Sequence, residues 1–144
     1  MRHALVWALT VAGVAGPAAA ENWNVYSRSA NNAFMADVDS ISAVDGVTAI
    51  QVAMVPLRGE AGDYSHSTES YEFQCDRNRW RPAGVVEHGP DGAEVGRYPE
   101  EGAEWEPVRS NTMPDYLKQI ACDGRRASPP TWPSVRAFVD AGRP

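Results

Sequence analysis

Residues 72–82 read EFQCDRNRWRP. How this stretch is read decides the fold. Asp76, Arg77 and Asn78 are turn formers, and the segments on either side of them carry strand patterns. Before the turn, residues 66–75 (HSTESYEFQC) alternate. Tyr71, Phe73 and Cys75 share one side; His66, Thr68, Ser70, Glu72 and Gln74 share the other. A period of two with one apolar side marks a half-buried strand of an antiparallel sheet, its second side solvated. After the turn, residues 79–88 return as another strand, and Pro82 within it indicates a bulge or an edge position.

The same logic extends outward. Asp45-Gly46 is a hairpin signal. The run behind it, VTAIQVAMV (47–55), puts Ile50, Val52 and Met54 on one side and Ala49, Gln51 and Ala53 on the other. Its second side is nearly free of charge, as in a central strand. Pro90-Asp91-Gly92 predicts a further hairpin into residues 93–98, and residues 23–27 and 33–37 form the first pair around a polar turn. Six strands joined by short turns read as an antiparallel meander. An acidic loop over 99–112 carries Trp105. Met113, Tyr116, Leu117, Ile120 and Ala121 then follow the spacing of an amphipathic helix, with Asn111 or Thr112 to cap it, Asp115 in its first turn and Gly124 to end it. On an ideal helix Cys122 points away from that apolar stripe, so either the helix stops by Ala121 or the cysteine approaches from the flank. Residues 124–133 read as a Pro/Arg-rich linker. Val135, Phe138 and Val139 place an apolar stripe on a possible short helix after it. The fold class is α+β.

The first twenty of the 144 residues, MRHALVWALTVAGVAGPAAA, are read apart from the fold. A short positive start, an apolar run too short to span a bilayer comfortably, Pro17 and the small residues 18–20 make a cleavable signal peptide. No cysteine lies near the cleavage point, so no lipid anchor is expected, and no transmembrane span is expected after cleavage. Without Arg2 the chain carries 12 Lys+Arg against 19 Asp+Glu, a formal charge of −7. That balance opposes binding to nucleic acid or anionic lipid, which depends on neutralising phosphates with many cations. The expected location is the periplasm or the exterior.

The exported chain has two cysteines, Cys75 and Cys122. An even pair in an oxidising compartment is most simply a disulfide; a free buried thiol and a reactive one are the alternatives. Arg79 and Arg81 share one side of their strand and Trp80 the other. Arginine and tryptophan are favoured interface anchors, so Arg79, Trp80 and Arg81 are the candidate partner-binding residues. The plainer reading pairs the arginines with the chain's own acids, such as Glu72, Glu87 or Glu94. His66 and His88 are far apart in sequence, both expected in solvent, and lack the spacing of a metal site. The acidic run around 87–106 reads as a solvated surface. No Gly-x-Ser-x-Gly elbow and no phosphate-cradling glycine loop is present. No metal, cofactor or catalytic activity is expected.

One further pattern is the order of these pieces. Trp23 comes soon after the leader, then DVDSI (37–41), then the Asp-Gly turn with its apolar strand. FQCDRNRWR (73–81), Trp105 with Val108, and Ala121-Cys122 complete it. This order resembles the bacterial surface-adhesin protein E-like domain over roughly residues 22–123. The resemblance implies a bent antiparallel sheet of about six strands with a C-terminal helix held across one face by a Cys75–Cys122 disulfide. It divides the chain into a leader (1–20), an adhesin-E-like domain (21–123) and a tail (124–144). It also implies an exported binding module of the bacterial envelope, adhesin-like in role, whose partner is a protein or envelope component, with self-association open to it. The alternative is a small periplasmic inhibitor or assembly factor acting on one protein partner.

Overall fold

The computed structural model describes residues 21–144; the signal-peptide reading of residues 1–20 lies outside the described residues. The strands are β1 (Trp23–Arg28), β2 (Asn32–Val44), β3 (Val47–Pro56), β4 (His66–Gln74), β5 (Arg79–His88), β6 (Glu94–Pro99) and the two-residue β7 (Glu106–Pro107). The helices are α1 (Met113–Asp123) and α2 (Val135–Asp140). The sheet is antiparallel, in the order β1-β2-β3-β4-β5-β6, with β7 added against the first residues of β5. The meander is therefore the one expected, and β7 is a small addition formed inside the acidic loop.

Turn chemistry explains the order. Asp45 and Gly46 both take positive φ, as a two-residue hairpin turn requires. Between β4 and β5 a single helical turn, Cys75–Arg77, ends on Asn78 at φ 53° and ψ 48°, a conformation asparagine tolerates. The DVDSI segment is a register shift in β2 between Asp37 and Ser42. Side chains replace the missing ladder bonds there. The buried Asp37 carboxylate accepts from the amides of Asn22 and Asp39, and Ser40 Oγ donates to the Asp37 carbonyl while accepting from the Gln51 amide.

Each face of the sheet has its own core. On one, Ala36, Ile50, Val52 and Phe73 pack against Leu117 and Ile120 of α1, with Val108 alongside. On the other, Trp23, Ala33, Met35, Ala53 and Val55 pack against Val135, Phe138 and Val139 of α2. β3 serves both cores with alternate residues, which is why neither of its sides carries charge. The alternate side of β4 is half-buried along its length, where solvent was expected, because α2 and the tail lie over the neighbouring strands.

Thr112 caps α1 through extended backbone, without a side-chain cap bond, and Gly124 ends it at φ 72°. The helix runs through Cys122, so the cysteine reaches the sheet from the helix flank, and Tyr116 of the expected stripe lies at its exposed border. Ser134 caps α2, its hydroxyl accepting from the Ala137 amide. The tail is tied down beyond α2 as well. Trp132 exchanges two backbone hydrogen bonds with Trp23, and Arg143 donates to the carbonyls of Gly59, Glu60 and Asp63. Gly59 admits that guanidinium: a Cβ there would stand 2.9 Å from an Arg143 nitrogen. Among the described residues no helix is long and apolar enough to cross a membrane.

Candidate functional site

Cys75 and Cys122 form a disulfide, with Cα atoms 5.7 Å apart and 47 residues of separation. Both half-cystines pack against the α1-side core. The sulfurs join the tip of the β4–β5 hairpin to the last turn of α1, so they are architecture and no thiol remains.

Arg79, Trp80 and Arg81 divide between the faces. In the β4–β5 ladder Gln74 pairs with Arg79, Phe73 with Trp80 and Glu72 with Arg81. Trp80 follows Phe73 onto the α1 face and is half-buried there. The arginines stand on the opposite face. Arg81 Nε meets Glu72 Oε2 at 2.6 Å, and its guanidinium lies 4.3 Å from the Trp105 ring centroid. Arg79 donates to the Trp105 carbonyl. Much of the arginines' bonding capacity is thus spent inside the molecule.

Beyond the N-terminal end of α1 the sheet is left uncovered, and a recess of about 410 Å³ opens. Its walls come from six elements: Tyr26 of β1, Phe34 of β2, Val52 of β3, Tyr71 of β4, Trp80 of β5 and Met113 of α1. The Tyr71 and Trp80 rings meet at 5.9 Å with a 43° tilt. The Tyr71 hydroxyl donates to Glu69 Oε2. Burial pushes the Tyr71 phenol well above its ordinary value, the Glu69 bond and charge adding to this; burial also raises Tyr26, with Glu69 again contributing. Both phenols therefore stay neutral, and that of Tyr71 is a hydrogen-bond donor. Sequence reasoning placed Tyr71 in the core and Met113 on the apolar stripe of the helix, and passed over Tyr26, Phe34 and Glu69. The available signal was aromatic residues recurring at core-side positions of successive strands.

A second hollow, of about 370 Å³, lies on the α2 face. Here His66 and His88, expected to be separate and solvated, are stacked with centroids 4.2 Å apart. Each donates its Nδ1–H to a backbone carbonyl, of Tyr64 and of Gly92. Arg136 lies 3.7 Å over the Tyr64 ring, and Glu94 pairs with Arg97 at 2.6 Å because a register shift between Glu87 and His88 brings both to one side. Within this hollow Glu94 and Arg97 are paired, and Arg136 donates to the Asp91 carbonyl. Among the described residues no three His, Cys, Asp or Glu side chains are grouped to hold a metal ion.

With this geometry in place, comparison with known proteins adds one result. The family model described as surface-adhesin protein E matches residues 23–123, most of the chain. The chain belongs to the surface-adhesin protein E family. No curated protein and no solved structure matches it. Membership makes the chain an adhesin-like surface protein. The family match ends at the last residue of α1, so the adhesin E region contains the disulfide, the recess and the histidine pair, while α2 lies beyond it.

Proposed function

We propose that this adhesin E family member is an exported binding module of the bacterial envelope, without catalysis, that contacts a protein or envelope component through the open part of its α1 face. The observation that carries the reading is the recess itself. Four half-buried aromatic rings line it beyond the N-terminal end of α1. Aromatic side chains supply large contact area at small cost in conformational entropy, and they are common anchors of interfaces. Periplasm and cell surface both fit an exported disulfide domain.

The alternative, a periplasmic inhibitor or assembly factor working through Arg79, Trp80 and Arg81, has less support. Arg81 is already engaged by Glu72 and Trp105, and Trp80 faces the other way. One experiment separates the two. Residues 21–144 are immobilised, and saturable binding of envelope and extracellular proteins is followed by surface plasmon resonance. On our reading Trp80→Ala weakens binding at least tenfold, while the Arg79→Ala/Arg81→Ala double variant keeps it. The reverse ranking favours the inhibitor. Absence of saturable binding removes the support for both.

A further inference from the structure

Glu69 stands in an unusual place. It lies on the α1 face of β4, directly opposite Val52 of β3 and Val85 of β5. Tyr71, two residues on, donates to its Oε2. No cation answers it: the ion pairs among the described residues are Arg81–Glu72 and Arg97–Glu94. Arg28 is the charged residue among the recess walls, but its guanidinium is directed elsewhere: it donates to the oxygen of Pro144 and sits over Phe138, which belongs to the α2 core. Glu69 is not itself a wall of the recess, but it is bonded to Tyr71, which is, so this half-buried carboxylate adjoins the recess and, without an ion-pair partner of its own, can attract a cation there.

We propose that the recess receives a lysine side chain of a protein partner, with Glu69 as its counter-ion and Tyr26, Phe34, Tyr71 and Trp80 as its walls. The chemistry selects this occupant in three steps. A lysine carries an apolar stem and a charged head, so the stem would lie along Val52, Met113 and Leu117 while the head passes the Tyr71 ring toward Glu69 at the edge of the recess. The aromatic faces attract an ammonium through their quadrupoles. Tyr71 already occupies Oε2, leaving Oε1 as the main acceptor, and a single free oxygen suits a compact ammonium better than the two-pronged guanidinium fork. The recess volume falls in the range of about 300–1,000 Å³ usual for ligand sites. The formal charge of −7 on the exported chain draws a basic partner toward it.

This inference rests on reading the α1 face as a contact surface, and its test is independent of protein capture. Residues 21–144 with the disulfide intact are titrated with Nα-acetyl-lysine methylamide and with its norleucine counterpart, which keeps most of the stem and lacks the ammonium. The readout is the NMR signal of the Trp80 indole N–H. The lysine probe is expected to shift that signal saturably, the norleucine probe to bind at least tenfold more weakly, and Glu69→Gln to remove the preference. The two-probe comparison needs no variant, so it stands whether or not Glu69→Gln folds. Equal binding of the two probes, no saturable shift, or an unchanged preference in folded Glu69→Gln overturns the proposal. So does an arginine probe that binds as tightly as lysine. If lysine selectivity fails while Trp80→Ala still abolishes protein capture, only the ligand class is lost. If capture fails altogether, the contact-surface reading is lost instead.

Discussion

The imidazole rings of His66 and His88 lie 4.2 Å apart and within 3° of parallel. They sit on neighbouring strands, and each is anchored by its Nδ1–H on a backbone carbonyl. Thr68 Oγ1 is 3.3 Å from His88 Nε2. Burial holds the His66 pKa below its ordinary value of 6.5; the Tyr64 carbonyl partly offsets this, and the charge of a protonated His88 deepens it. The folded protein thus takes up fewer protons here than the unfolded chain. The stability that His66 contributes is full above about pH 6.5 and declines as the pH falls toward its lower folded value. The urea midpoint is expected to drop between pH 7 and pH 5, and to drop less in His66→Gln. Parallel pH profiles for the two proteins would refute the assignment.

The disulfide closes a 47-residue separation and holds the end of α1 on the sheet. The chain-entropy estimate for such a loop is roughly 4 kcal/mol. Cys75→Ala/Cys122→Ala is expected to lower the melting temperature by about 10–20 °C. Amide exchange should rise first at Leu117 and Ile120, the buried residues of α1. A shift of only a degree or two would show that packing alone holds the helix.

Phe138 is fully buried against Met35, Val55 and the Trp132 ring, which meets it edge-on at 5.6 Å. Phe138→Ala is expected to destabilise the whole domain by about 3–5 kcal/mol. Truncation after Asp123, where the family match ends, uncovers Trp23, Met35 and Val55. That fragment is expected to bind a hydrophobic dye and to unfold at much lower urea. A fragment as stable as the full chain would show that α2 is dispensable.

Arg81 combines an ion pair with a stack on Trp105, and its side chain is 31% exposed. Solvent screening keeps the pair weak, so Arg81→Ala is expected to cost about 1 kcal/mol, most of it from the lost ring contact. A double-mutant cycle with Glu72→Gln should return a coupling of about 0.5 kcal/mol.

Much of this architecture is legible in the residues. Alternation over 66–75 and the Asp45-Gly46 turn carry the meander, because each depends on neighbours in sequence. The histidine pair is not legible, and one residue is the reason. The turn pairs Gln74 with Arg79, and an unbroken register would set His66 opposite Glu87. The shift between Ser70 and Tyr71 moves its partner to His88. The second core was half visible: Ala53 and Val55 are as apolar as Ile50 and Val52, yet nothing local says that α2, eighty residues later, covers them. The recess was hidden for the same reason, since its walls run from Tyr26 to Met113.

The backbone exchange between Trp23 and Trp132 has a consequence for how copies of this protein can assemble. β1 and β6 are the two rims of the main sheet. The β1 rim is short, kinked between Val25 and Ser27, and occupied at Trp23 by the protein's own tail. Strand addition is left to the β6 rim alone. Two molecules joined there turn their short, kinked and partly occupied β1 rims outward, which favours a closed pair over a growing fibre.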